Sequence, residues 1–365
     1  MSIYKNAHKD VTNIVNSRNI NDFIQFMMKW HFSDSTGTPF WLKKRKELNF
    51  DPLRDVTSFE DLAMFPDCSS DLRTVDVHEL IPRGLPLDLI PRVYESGGTT
   101  GQPKFVVAFE EWIRQLVDWR VSSYINKYNR PSGNTLAAVP TGPHIVGAIN
   151  RERAERLGGM CFTVDIDPRW VKLAAVQQNN TVRSLYSEHL IHQMSSIILN
   201  QDITFLVTTP PILDMLLSQE NIVERLRQTL SHITLGGTAI NIDTIRYAKS
   251  EILPECNFSA SYGSTSGLGE SHSGILDSTT ESITYNSFAP YITYRVVDNQ
   301  GKSVSDGERG QIVLSHLSLY AFYPNIYERD SAILSGVTDY GAGAIITDVL
   351  PTQNVNGISI IEGVY

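Results

Sequence analysis

The sequence has little that would attract a polyanion or cross-link the chain. Basic residues number 31 against 40 acidic ones, so the net charge is −9. Such a chain lacks the broad positive field that recruits nucleic acid or an anionic membrane surface. The three cysteines, Cys68, Cys161 and Cys256, are far apart and form no C-x-x-C pair. This spacing disfavours a zinc ribbon and a disulfide framework, and we expect reduced thiols.

Long apolar runs are also missing. Residues 1–13 lack the apolar stretch of a signal peptide, and no segment approaches the ~20 apolar residues that a membrane-spanning helix needs. We therefore expect a cytoplasmic protein without a membrane partner.

The 365 residues, 41% of them hydrophobic, are enough for two or three units of ~100–200 residues each. Residues 1–80 have mixed helical and loop character, and residues 81–279 alternate strands with helices. Residues 280–365 lose the helical signals, and strands at 291–297 and 311–315 flank a turn at 298–301. The alternation predicts an α/β fold with a doubly wound, mostly parallel sheet, followed by a small C-terminal β-rich subdomain. Strands are predicted at 134–139, 160–166, 203–208, 232–235 and 257–262, and helices at 145–157, 182–199, 212–217 and 244–252.

Two further predictions concern packing. Residues 20–30 have helical periodicity, whereas the segment 41–48 is basic and is expected to be exposed. Four aromatic residues at nearly helical spacing are expected to pack in the interior rather than bind a ligand. They are Trp112, Trp119, Tyr124 and Tyr128.

The most informative segment is Tyr94–Lys104, which reads YESGGTTGQPK. Glycines allow the backbone to approach an anion closely, so that amides and hydroxyls can cradle phosphate oxygens, and Lys104 adds a positive charge. A flexible linker is the alternative reading of such a composition. A Walker A loop is excluded because no Gly-Lys-Ser/Thr closes the segment. We call residues 96–104 the glycine-rich loop.

Five more segments follow in order. They read VPTGPH at 139–144, HITLGGTAI at 232–240, FSASYGSTS at 258–266, YRVVD with GERGQIVL at 294–314, and YERD at 327–330. Together with the glycine-rich loop they resemble the ANL superfamily of adenylate-forming enzymes, which comprises acyl-CoA synthetases, peptide adenylation domains and luciferases. The loop is similar to that family's phosphate loop, and FSASYGSTS is similar to its Tyr-Gly-x-Thr-Glu motif.

The resemblance implies that residues 81–279 bind ATP or AMP and form an acyl-adenylate from a carboxylic acid. It implies that Tyr262 stacks on adenine, that Thr265 reaches the α-phosphate and that His144 lies near the acid. The implied catalytic residues are Lys104, Thr265 and His144. The implied nucleotide-binding residues are Ser96, Gly97, Gly98, Thr99, Thr100, Gly101, Gly236, Gly237, Thr238, Tyr262, Gly263, Ser264 and Asp330.

One departure from the family concerns the metal. Ser266 stands where the family has a Glu that helps to hold Mg²⁺, and a hydroxyl is a poor replacement for an anionic ligand. Glu270 would substitute only if the chain folds back after Ser266. The sequence therefore leaves magnesium binding in doubt.

A second departure concerns the C-terminus, because the sequence ends about where the family's hinge to its C-terminal lid domain begins. We expect that domain to be missing and thioester formation to be unlikely in this chain. The length also resembles an atypical branch from phenazine antibiotic biosynthesis of the D-alanylgriseoluteic acid type. That branch implies an aromatic acid, such as a phenazine carboxylate, and a downstream reductase or acyl acceptor protein. A scaffold that binds the acid without activating it is the alternative, and the oligomeric state is open, a homodimer included.

Overall fold

The computed structural model describes residues 3–96, 102–125, 132–167, 169–170, 173, 177, 180–277, 279–351, 354–355 and 358–359. Within them the chain forms two main sheets, two short hairpins and a set of helices. The strands are β1 Pro91–Glu95, β2 Phe105–Phe109, β3 Asn134–Ala137, β4 Cys161–Thr163, β5 Ile203–Thr208, β6 His232–Leu235, β7 Asn257–Ser264, β8 Gly269–Leu276, β9 Thr284–Tyr285, β10 Ile292–Val297, β11 Arg309–Leu317, β12 Phe322–Val337, β13 Ala344–Pro351, β14 Asn354–Val355 and β15 Ile358–Ser359. The α-helices are α1 Ile3–Ser17, α2 Ile20–Phe32, α3 Pro39–Lys44, α4 Pro52–Asp55, α5 Glu110–Ile125, α6 Ile145–Arg156, α7 Asn180–Asn200, α8 Pro210–Leu217, α9 Glu220–Thr229 and α10 Ile242–Tyr247.

The larger sheet has six strands in the order β4-β3-β5-β6-β7-β8, and only β8 is antiparallel to its neighbour. Its central strands β5 and β6 are almost wholly buried, as expected for strands covered on both faces. The chain moves from β3 to β4 on one side and then crosses to β5 on the other, which is the strand order of a doubly wound sheet. The predicted doubly wound, mostly parallel sheet is confirmed.

Most element boundaries in this sheet agree with the prediction to within a few residues. Strands β5 and β6 have the predicted bounds, while β4 is only three residues long. Helix α10 ends at Tyr247 and is followed by a π-helical turn over Ala248–Ile252. Helix α9 was not predicted, because its apolar face consists of only three buried residues, Ile222, Val223 and Leu226.

The second sheet is antiparallel, in the order β10-β11-β12-β13-β9. It forms the predicted β-rich C-terminal subdomain. In the predicted turn after β10, the Gly301 amide donates to the Asp298 carbonyl at 3.0 Å. The domain boundaries at residues 80 and 279 stay predictions.

The N-terminal helices pack on the tight connection between β11 and β12. Trp30 Nε1 donates to the Leu319 carbonyl at 2.9 Å, and Trp41 Nε1 donates to the Phe322 carbonyl at 2.7 Å. Trp41 is 1% exposed, so the prediction that the segment 41–48 is exposed is wrong for this residue. Its indole covers a large apolar area and finds an acceptor for its single N–H, which together favour burial over exposure.

Of the four aromatic residues after the glycine-rich loop, two have described side chains. Trp112 is fully buried and Trp119 stacks on Phe288, with ring centroids 4.9 Å apart. Both pack in the interior, as predicted. The side chain of Tyr124 and the whole of Tyr128 lie outside the described residues.

Among the helices in the described ranges, none has both the length and the apolar character needed to cross a membrane.

Candidate functional site

The predicted site residues follow the carboxyl ends of neighbouring parallel strands. Val139–His144 come after β3, Gly236–Thr238 come after β6, and Tyr262–Ser264 end β7. Because parallel strands present their carboxyl ends at one edge of the sheet, these segments share that edge, which is where open α/β sheets bind ligands.

The base of the glycine-rich loop is closed by hydrogen bonds across the β1–β2 hairpin. The Ser96 amide donates to the Lys104 carbonyl at 3.0 Å, and the Lys104 amide donates to Ser96 Oγ at 2.8 Å. Gly97, Gly98, Thr99, Thr100 and Gly101 lie outside the described residues. The Lys104 ammonium donates to Ser266 Oγ at 3.4 Å, so the loop meets the turn after β7.

Alternate residues of strand β7 form side-chain hydrogen bonds with alternate residues of strand β12. Tyr262 Oη donates to Asp330 Oδ2 at 3.1 Å, and Ser264 Oγ donates to Glu328 Oε1 at 2.5 Å. The spacing of two residues on each strand puts these side chains on one face. The structure therefore joins Tyr262 to Asp330, the two residues expected at adenine and ribose.

Glu328 is a site residue for which the sequence predicts no role. Burial raises the pKa of its carboxyl, while the nearby Lys104 ammonium and the Ser264 hydrogen bond oppose this rise. The same carboxylate and Asp330 raise the pKa of the Tyr262 phenol further, although burial is the main cause. The Glu328 carboxyl and the Lys104 ammonium therefore interact electrostatically within the site.

The turn after β6 requires glycine for two reasons. A Cβ atom on Gly236 would lie 2.7 Å from Ser261 Oγ and 2.9 Å from the Ser261 carbonyl oxygen. Gly237 has a φ of +80°, a conformation that other residues rarely adopt. The next residue, Thr238, is half-buried, and within the described part of the chain its Oγ1 has no hydrogen-bond partner.

His144 is tied to the start of the glycine-rich loop rather than to the strand end alone. Its Nδ1 donates to the Glu95 carbonyl at 3.0 Å, and the Glu95 amide donates to the Pro143 carbonyl at 2.7 Å. Burial lowers the pKa of the His144 imidazole, which favours its neutral form. The structure thus links the segment after β3 to the base of the loop.

The hairpin β7–β8 brings Glu270 back alongside Gly263, its partner in the register. The chain therefore folds back as the magnesium hypothesis requires. However, the Glu270 carboxylate lies 3.4 Å from Arg120 Nε inside the protein, and the Ser266 hydroxyl accepts from Lys104. As placed, these two residues do not fit a magnesium site, and the described residues contain no cluster of three or more His, Cys, Asp or Glu that could hold a metal.

The structure assembles the predicted residues into linked groups. Lys104 meets Ser266, Tyr262 meets Asp330, and His144 meets the base of the loop. Gly263 is exposed, and Thr265 is half-buried in the turn that carries Ser266. No described hydrogen bond joins Gly237 or Thr238 to the other groups.

Comparison with known proteins agrees with this arrangement. Residues 173–323 match the AMP-binding enzyme family, a range that includes the turns at Gly236 and Tyr262 and begins after the glycine-rich loop. No curated protein sequence shows significant similarity to the chain.

Among solved structures, the chain is similar to 2-hydroxyisobutyryl-CoA ligase in three states. For the postadenylation state in complex with 2-HIB-AMP, the TM-score is 0.62 at 14% identity, over 96% of this chain and 73% of the ligase. For an open conformation in complex with 2-HIB-AMP and CoA, it is 0.59 at 14% identity, over 95% of this chain and 80% of the ligase. For the complex in the thioesterification state, the TM-score is 0.58 at 15% identity, over 93% of this chain and 71% of the ligase. Identities this low show a shared fold. The chain therefore shares its fold with these ligases, and the AMP-binding enzyme family model matches less than half of it.

Proposed function

We propose that this protein activates a carboxylic acid with ATP. A carboxylate oxygen attacks the α-phosphorus and forms the new P–O bond of an acyl-AMP. The bond between the α-phosphorus and the bridging oxygen breaks, and pyrophosphate leaves with the electron pair. The observation that carries the proposal is the contact between Lys104 and Ser266, because it joins the glycine-rich loop to the turn at the end of β7.

The residues proposed to contact the nucleotide lie in the glycine-rich loop, after β6, in and after the end of β7, and on β12. Ser96, Lys104 and the loop between them bind the phosphates, with the ammonium of Lys104 neutralising charge on the leaving pyrophosphate. Thr265 contacts the α-phosphate. Tyr262 and Asp330 bind the nucleoside as one hydrogen-bonded unit, in which the phenol orients the carboxylate towards the ribose hydroxyls. Gly236, Gly237, Thr238, Gly263 and Ser264 line the nucleotide at the strand ends.

His144 and Gly236 are the proposed contacts of the acid. His144 donates its Nδ1 proton in a hydrogen bond to the Glu95 carbonyl. Burial lowers the pKa of the imidazole and so favours its neutral form. A neutral imidazole adds no positive charge, so it can lie against an aromatic acyl group at little electrostatic cost. Because the sequence also resembles the phenazine-biosynthesis branch, we favour an aromatic acid, with a phenazine carboxylate as the first to test. The acyl-AMP would then pass to a separate reductase or acyl acceptor protein.

The second candidate is a scaffold that holds an aromatic acid or its adenylate without forming it. The poor fit of Ser266 and Glu270 to magnesium favours this alternative. Calorimetry separates the two candidates: an acid that binds while ATP does not would favour the scaffold.

Carboxylate-dependent exchange of labelled pyrophosphate into ATP tests the enzyme directly. With a panel of aromatic acids that includes phenazine carboxylates, we expect exchange by the native protein. Lys104→Gln should reduce the rate by about 10²–10³-fold, the typical effect of removing one preorganised group that stabilises a developing charge. Lys302→Gln is the matched control, because Lys302 is an exposed turn lysine in the β-rich subdomain. Absence of exchange with every acid tested would refute the proposal.

A further inference from the structure

The turn that carries Thr265 and Ser266 is held from inside the protein by two ring N–H groups. His316 Nδ1, from β11, donates to the Gly267 carbonyl at 2.6 Å. Trp112 Nε1, from α5, donates to the Leu268 carbonyl at 2.7 Å. The two rings are also in contact with each other, edge to face, with centroids 4.5 Å apart. A strand of the second sheet and helix α5 thus meet behind a short segment of the candidate site.

This turn has a backbone conformation that needs support from its surroundings. Leu268 has a φ of +51°, which is uncommon for a residue with a branched side chain, and it is completely buried. The turn is also tightly packed, since a Cβ atom on Gly267 would lie 2.7 Å from Leu314 Cδ1 of β11. Strained conformations of this kind persist only where neighbouring groups fix them.

The hydrogen bonds of His316 define which ring nitrogen carries the proton. A carbonyl only accepts, so Nδ1 must be protonated to bind the Gly267 oxygen. The neutral ring then leaves Nε2 as an acceptor for the Ser318 hydroxyl, 2.8 Å away. Both Nδ1 and Nε2 are therefore used, and the ring has one orientation in which both bonds form.

The same chain of bonds continues into the N-terminal helices. The Ser318 carbonyl accepts from His31 Nε2 at 2.7 Å, which requires the opposite tautomer of that ring. His31 Nδ1 then accepts from Thr38 Oγ1 at 2.8 Å. Both histidines are fully buried, so the connection from the turn to α2 is shielded from water.

We infer that His316 is a positioning residue, which holds the Gly267 carbonyl and thereby fixes Thr265 and Ser266 where they meet the α-phosphate and Lys104. The inference rests on the proposed function. Ser266 is 3% exposed and receives the Lys104 ammonium, so a shift of this turn moves both the hydroxyl and the cation it binds. A displacement of about 1 Å at a reacting centre costs roughly 10²-fold in rate.

Two amide variants test the role because each reproduces a different ring nitrogen. His316→Asn places an N–H near the position of Nδ1 and can still donate to the Gly267 carbonyl, whereas His316→Gln places it near Nε2. Both remove the same buried ring, so each serves as the packing control of the other. With the Asn variant we expect a turnover number within about threefold of the native value. With the Gln variant it should fall by about 10–100-fold, with the KM for the acid changed less than about twofold.

A double-mutant cycle with Thr265→Val separates positioning from a general loss of stability. If His316 acts partly through Thr265, then His316→Gln should cause a smaller fold-loss in the Thr265→Val background than in the native protein, because only the effect that passes through Ser266 and Lys104 remains there. A purely structural role would lower the rate by the same factor in both backgrounds, and that result would overturn the inference.

Hydrogen exchange provides a readout that does not depend on activity. The amides of Gly267 and Leu268 donate to the Ser264 and Thr265 carbonyls within the turn. A peptide covering residues 262–270 should lose protection in His316→Gln and keep it in His316→Asn. If the native protein shows no pyrophosphate exchange, the proposed function fails while this measurement still decides whether His316 holds the turn. Equal protection in the two variants would overturn the inference even in an active enzyme.

Discussion

Four of the buried histidines, those with the most strongly lowered pKa values, should make the stability of this protein fall steeply in mild acid. They are His31, His232, His272 and His316, and none is more than 9% exposed. Burial lowers the pKa of the first three to about 3 and that of His316 to about 4, and the nearby Arg120 lowers those of His232 and His272 further. Because these pKa values lie below about 6.5, the value in the unfolded chain, the unfolded state binds more protons than the folded state between about pH 4 and 6.5. Stability is therefore fully present above pH 6.5 and is lost as the pH falls.

The expected loss is large compared with the stability of a typical domain. At pH 5 each of the four histidines is neutral in the folded state and almost fully protonated in the unfolded state, which costs about 2 kcal/mol per residue, or about 8 kcal/mol in all. Folded domains are stable by only about 5–15 kcal/mol. Burial raises the pKa of the Asp214 and Glu328 carboxyls, and this stabilises the folded state in acid and offsets part of the histidine loss.

Proton uptake on unfolding measures this effect directly. At pH 5.5, unfolding in urea should take up about three to four more protons per molecule than it does at pH 7.5 through the histidines alone. His232→Gln should reduce that uptake by about one proton, whereas His8→Gln, which changes an exposed histidine of α1, should leave it unchanged. Equal uptake in the native protein and in His232→Gln would show that this histidine is protonated in the folded state, and the reasoning from burial would then be wrong.

Three further predictions concern single contacts. Gly236→Ala should weaken ATP binding at least tenfold, measured by calorimetry, because the new methyl group would overlap the backbone of Ser261 and displace the turn; unchanged affinity would show that this turn is not at the nucleotide. Tyr262→Phe removes the donor to Asp330 and should lower the free energy of unfolding by about 1.5–3 kcal/mol, the usual value for a hydrogen bond to a charged group. Urea titration measures it, and a loss below the error of the titration would mean that the phenol is bound to water instead. Trp41→Phe should cost about 2–4 kcal/mol in the same titration, since it leaves a void and an unpaired carbonyl, and a neutral result would contradict the burial of this indole.

The sequence predicted well those structural features that are determined by residues close together in the chain. Strands β5 and β6 have the predicted bounds because each is a short segment rich in β-branched and aliphatic residues between two helical segments. The Gly236-Gly237 turn was recognisable because a positive φ and a close backbone approach both require glycine. Such signals lie within a few residues, so no knowledge of the tertiary structure is needed to interpret them.

The contacts that complete the site depend on residues far apart in sequence. Ser264 and Glu328 are 64 positions apart, and His316 is 49 positions from the carbonyl that it binds. Neither Glu328 nor His316 belongs to a local pattern that indicates a role, because their partners are fixed only when the two sheets come together. Trp41 shows the same limit, since its basic neighbours in the sequence suggested exposure while its acceptor lies on β12.

The packing of the N-terminal helices against the β11–β12 connection has a consequence for folding during synthesis. Trp30 and its acceptor are 289 positions apart, and Trp41 and its acceptor are 281 positions apart. At synthesis rates of about 5–20 residues per second, roughly 15–60 s pass between the synthesis of these indoles and the synthesis of the strands that cover them. During that interval helix α2 exposes an aromatic face, and a nascent chain in this condition is a natural client for chaperones that shield apolar surface. Completion of the last β-sheet, rather than of the first helices, is the event that ends this exposure.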